Sequence, residues 1–134
     1  MPYKKCRGIS LVELIVVIII IAILASLALP QFTKTKERAW DKEATINLKL
    51  IRAAGKLYRM ENTFYYPYTG YAPANTDDIN TNLKLSLTTK NWIYSILTPL
   101  SGTATASRVG ADRTWTLTMT DADGEPDCTG TYYP

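Results

Sequence analysis

The sequence predicts an α+β fold, a long N-terminal helix with an apolar half and an amphipathic half, packed on a small antiparallel β-sheet. Three observations carry this. Residues 9–29 hold a single charge, apolar residues recur mainly at threes and fours over residues 31–61, and aromatic and β-branched residues gather in short runs after residue 90. The length of 134 residues suits one domain with a modest core and excludes large multidomain enzymes. There is no His, so the commonest general base and the commonest zinc ligand are missing. With no nucleophile and base pair to propose, the expectation is a non-enzyme.

The net charge of +3 belongs to Lys4, Lys5 and Arg7, because 12 basic residues balance 12 acidic ones from residue 9 onward. Charge therefore indicates no specific nucleic-acid partner. Cys6 and Cys128 lie on opposite sides of the apolar run, which argues against a disulfide framework.

The first element follows from the run itself. As a helix, 21 residues cover about 30 Å, enough to cross a bilayer, with the preceding basic octet held on the cytoplasmic side. A secretory signal would end in the small residues Ser26 and Ala28 and release a soluble domain after Ala28. Against that reading, and against a plain anchor, stands Glu13, because a carboxylate at mid-membrane costs about 2.5–3.5 kcal/mol.

Gly8 and Glu13 belong to one pattern, G-I-S-L-V-E-L followed by an apolar run. It resembles the class III signal of the type IV pilin and pseudopilin family. The resemblance implies a prepilin leader over residues 1–8, cut by a membrane peptidase between Gly8 and Ile9, with the new N-terminus methylated. Ile9 departs from the family's more usual Phe. Glu13 would lie four residues past the new amine, on one helix face with it and within reach of the amine of a neighbouring chain. Pairing with a neighbour works only at the right axial offset, so Glu13 would set register during assembly. Pro30 stands where the family commonly has a proline. Lacking an N–H and clashing with the Ser26 carbonyl, it should weaken or kink the helix at the membrane exit. By resemblance, residues 22–29 are the stretch that loses helicity in a filament.

The implied organisation is a leader at 1–8, an apolar transmembrane and filament-core helix at 9–30, its amphipathic half at 31–61 and a head at 62–134. In the amphipathic half Phe32, Trp40, Ala44, Leu50, Ile51, Ala54, Leu57 and Tyr58 make the stripe expected to pack on the sheet. This half carries eight basic and four acidic residues, whereas the head carries four basic and seven acidic. A basic stalk and an acidic head are complementary between copies, unless both are merely solvated.

Asn62 is placed to cap the helix, and the stretch YRMENTFYYP is similar to the pattern that closes the long helix in many pilins and major pseudopilins. Thr76, Asp77 and Asp78 start a short helix towards Leu85. Residues 91–97, 103–109 and 113–120 read as strands, three or four in all, with Trp115, Leu117 and Met119 on one face and Gly110 to Asp112 as a turn. Tyr58, Tyr65, Tyr66, Tyr68 and Tyr71 suit packing around the connecting loop, with sugar or base stacking as the alternative. Asp121, Asp123, Glu125 and Asp127 place four carboxylates on one turn that suits calcium, without the spacing of an EF-hand. The resemblance raises that prospect, because major pseudopilins bind calcium in the C-terminal head. Many type IV pilins close this loop with a disulfide, and here Cys128 has no second Cys after the leader.

The implied function is structural. The chain would be made as an inner-membrane precursor, cut by prepilin peptidase, extracted by inner-membrane assembly machinery and polymerised with itself into an extracellular filament on the bacterial surface. The alternatives are the major pseudopilin of a type II secretion system and a secreted binding domain released after Ala28.

Overall fold

The computed structural model describes residues 8–67, 74–97, 102–119 and 124–130. The chain divides into two compact units, Met1–Arg38 and Ala39–Pro134. Helix α1, Leu11–Asn62, contributes residues to both.

In the first unit every described residue from Gly8 to Lys36 is exposed. Helical structure continues through Pro30, so the proline does not end the helix. Hydroxyls on either side bond back to the backbone, Ser26 Oγ to the Ile23 carbonyl at 2.8 Å and Thr33 Oγ1 to the Pro30 carbonyl at 3.0 Å. Such bonds satisfy carbonyls within a helix and often accompany bending.

In the second unit α1 buries Ala44, Leu48, Ile51 and Gly55, with Trp40, Ala54 and Tyr58 partly buried beside them. The sequence stripe is corrected at three places, Phe32, Leu50 and Leu57. Leu50 and Leu57 are 45% and 62% exposed, and Leu48 and Gly55 take their place. At about 100° per residue, Leu50 points well away from Ile51, so adjacency in sequence does not give a shared face. Phe32 is also exposed. The helix closes at Asn62 as expected, through Thr63. This residue has φ 64° and donates its N–H to the Arg59 carbonyl at 2.8 Å, the left-handed closing motif in a chain position without glycine.

Helix α2, Thr76–Asn82, starts from a capping box in which the Asp78 N–H donates to Asn75 Oδ1 at 2.9 Å and the Asn75 N–H to Asp78 Oδ2 at 3.2 Å. It ends short of Leu85. The strands β1 Trp92–Ile96, β2 Thr103–Arg108, β3 Arg113–Thr118 and β4 Asp127–Gly130 form an antiparallel sheet in sequence order. Strand β4 completes the sheet by pairing Trp115 with Cys128 and Thr116 with Asp127. The core face carries Trp92, Tyr94, Ile96, Ala104, Ala106, Leu117 and Met119, all buried. Gly55 lies so close to this layer that an added Cβ would strike the Met119 methyl.

Polar contacts tie this part of α1 to the sheet. Trp92 Nε1 donates to the Trp40 carbonyl at 2.9 Å, Asn47 Nδ2 to the Tyr94 hydroxyl at 2.7 Å and Asn91 Nδ2 to Glu43 Oε2 at 2.9 Å. The Arg108 guanidinium lies 3.7 Å from the Trp40 ring centroid and 5.5 Å from that of Trp92. Asp41 pairs with Arg113 at 2.5 Å, their side chains 13% and 8% exposed, and accepts from Trp115 Nε1. Burial alone would lower the Arg113 pKa. Cys128 and Asp41 beside it outweigh burial and raise it, which keeps the guanidinium charged.

Removing one partner of a buried pair strands the other, at a cost of about 3–5 kcal/mol. Asp41→Ala should therefore lower the unfolding free energy of the detergent-solubilised protein, read from chemical denaturation, by that order. A loss below about 1 kcal/mol, the size of a surface pair, would show that the contact does not hold the sheet to the helix.

Candidate functional site

The residues singled out for processing and assembly lie at the start of α1. Gly8 and Ile9 precede the helix, and Ile9 is 78% exposed. The first turn closes when the Leu14 N–H donates to the Ser10 carbonyl at 3.1 Å, and Glu13 sits in that turn, where a carboxylate favours the helix dipole. The following apolar residues form a helix long and apolar enough to cross a membrane, and none of its apolar window is buried. Pro30 lies within the same helix. Gly8, Ile9 and Glu13 are thus neighbours at one end, and Pro30 stands apart from them along the chain.

The acidic turn has a different setting. Asp121 and Asp123 lie outside the described residues. Glu125 is ion-paired with Lys49 at 2.7 Å, and the Arg52 guanidinium donates to the Gly124 carbonyl at 2.6 Å. Asp127 Oδ1 accepts the N–H of Cys128 at 2.9 Å. Lys49 and Arg52, three apart on α1, therefore grip the segment that leads into β4. The sequence showed a basic helix and an acidic head. The complementarity it suggested between copies exists within one chain at Lys49 and Glu125.

The tyrosines near the end of α1 pack on one another. Tyr58 meets Tyr66 edge-on at 5.6 Å and Phe64 at 6.0 Å, and Arg59 stacks over Tyr65 at 4.8 Å. The Tyr66 hydroxyl accepts from Asn82 Nδ2 at 2.9 Å, and burial, with Asp78 and Tyr58 nearby, raises its pKa. Tyr68 and Tyr71 lie outside the described residues, as does Cys6. Cys128 is free and half-buried beside Arg113, on the core face of β4.

Residues 3–29 match the prokaryotic N-terminal methylation motif. Over 70 residues the chain is 40% identical to the type IV major pilin protein PilA of Myxococcus xanthus (strain DK1622). The alignment covers 50% of this chain and 32% of that protein. No solved structure gives a significant match.

The grip on the Gly124 segment generates a graded expectation. Arg52→Ala should cost about 1.5 kcal/mol, because a charged donor on a carbonyl is lost, and Lys49→Ala only a few tenths, because that pair is exposed. Chemical denaturation of both variants checks this. A larger loss for Lys49→Ala would assign the grip to the ion pair instead.

Proposed function

We propose that this chain, a type IV pilin-like protein by its motif, its relative and its architecture, is a structural subunit of a pilus-like extracellular filament. One observation carries the proposal. The residues that match the methylation motif, 3–29, include the apolar start of α1 that one chain leaves exposed, and such a motif would deliver that surface to a membrane and then to an assembly.

Cleavage after Gly8 by prepilin peptidase gives an amine at Ile9 and leaves residues 9–29 in the inner membrane as an anchor. Transfer from lipid to a bundle of identical helices gains little from water exclusion, since lipid is already apolar. Close packing and polar pairing supply the selectivity. Glu13 does this by meeting the Ile9 amine of a neighbour, which removes a charge from lipid at one axial offset and at no other. Assembly machinery in the inner membrane would extract the subunits, and the heads would face outward.

We favour a pilus subunit over a type II secretion pseudopilin because Glu125, one of the four carboxylates suited to calcium, faces Lys49. Release after Ala28 is less favoured because that cut falls within α1.

Glu13→Ala tests the role of the carboxylate. Processed protein should accumulate in the membrane fraction while sheared surface filaments disappear from electron micrographs. Filaments at normal yield would contradict it.

A further inference from the structure

The unit Ala39–Pro134 carries a second apolar strip on α1. Ile46, Leu50, Ala53, Leu57 and Met60 follow at spacings of four, three, four and three, and all are exposed, Ile46 at 64% and Met60 at 80%. At about 100° per residue they form one line on the side opposite Ala44, Leu48, Ile51 and Gly55. A helix face that met only water would be polar.

The spacing is that of a coiled-coil seam, with Ile46, Ala53 and Met60 at d and Leu50 and Leu57 at a. Lys42, Lys49 and Lys56 then occupy g, and Glu61 occupies e. In a parallel, in-register pair, each g residue faces the partner's e residue of the next heptad, which sets Lys56 against Glu61 twice. Lys42 and Lys49 would face Asn47 and Ala54, with no like charges opposed. An antiparallel pair would set g against g, lysine against lysine, so the charges select the parallel arrangement.

We propose that membrane-anchored copies of this chain pair in parallel and in register through the Ile46–Met60 strip. The proposal rests on the reading of residues 9–29 as a membrane span. Copies anchored by the same segment share polarity and depth, so equivalent residues meet at equal height. Two heptads are short for a free coiled coil, and confinement in a membrane supplies the effective concentration that such a seam needs. The pair is a species between the single precursor and the filament.

The test uses the full chain in phosphatidylcholine vesicles at low protein-to-lipid ratio, on a Cys6→Ser and Cys128→Ser background whose fold is checked by circular dichroism. Single cysteines are placed by Leu50→Cys, Leu57→Cys or Thr45→Cys and oxidised mildly. Leu50→Cys and Leu57→Cys should give several-fold more dimer than Thr45→Cys, and mixed Leu50→Cys and Leu57→Cys chains should not cross-link to each other. Lys56→Glu should lower the Leu57→Cys yield, and adding Glu61→Lys should restore it. Equal yields at all three positions, or no restoration, would overturn the pairing. Chains that float with the vesicles without cross-linking would sink the pairing and leave the membrane reading intact. Chains that fail to float would sink both.

Discussion

The constraint on which the rest depends is a carboxylate placed near the start of a 21-residue apolar run that a single chain leaves bare. Apolar surface of that extent is unstable in water, and Glu13 is unfavourable in lipid by about 2.5–3.5 kcal/mol if it reaches mid-membrane. Neither medium suits the whole segment. A bundle of copies suits both parts, because neighbouring helices cover the apolar surface and a neighbouring amine can neutralise the carboxylate. The run is long and apolar enough to cross a membrane, and under the proposed function the charge is what makes an assembly of copies its better destination.

The head meets a second constraint, which is to hold a four-stranded sheet on one helix with no disulfide among the described residues. Gly55 on the helix and Ala104 and Ala106 on β2 keep the packed layer thin, and Trp92, Tyr94 and Ile96 fill it. Polar contacts then fix orientation. The Asp41–Arg113 pair, the Arg108 guanidinium between two tryptophans and the Lys49–Arg52 grip each join α1 to a different part of the head. Helix positions facing the sheet are thus committed, and the opposite strip from Ile46 to Met60 is free to meet another copy.

Much of this was legible in the chain. Periodicity placed the long helix, the cap at Asn62, the short helix at Thr76 and three strands within a residue or two, because each rests on local preference or on burial of one face. The errors have a common source. The stripe that included Leu50 and Leu57 mixed two apolar faces, since residue type alone does not say which face meets the sheet. Strand β4 was harder to see because Asp127 and Gly130 are poor strand formers, and its ladder with β3 comes from pairing across the sheet. Lys49 and Arg52 were visible only as an excess of basic charge, because their partners lie more than 70 residues away. Among the site residues, Gly8, Ile9 and Glu13 form a contiguous signal that falls inside the matched motif, residues 3–29. Nothing local in the acidic turn revealed that Lys49 would face Glu125.

Assembly as proposed requires that the apolar helix stay on the processed protein. The most direct measurement is the intact mass and N-terminal residue of the chain recovered from the cell surface. A chain beginning at methylated Ile9 is expected. A chain beginning at Leu29 would contradict the proposal, because the segment on which assembly depends would be gone.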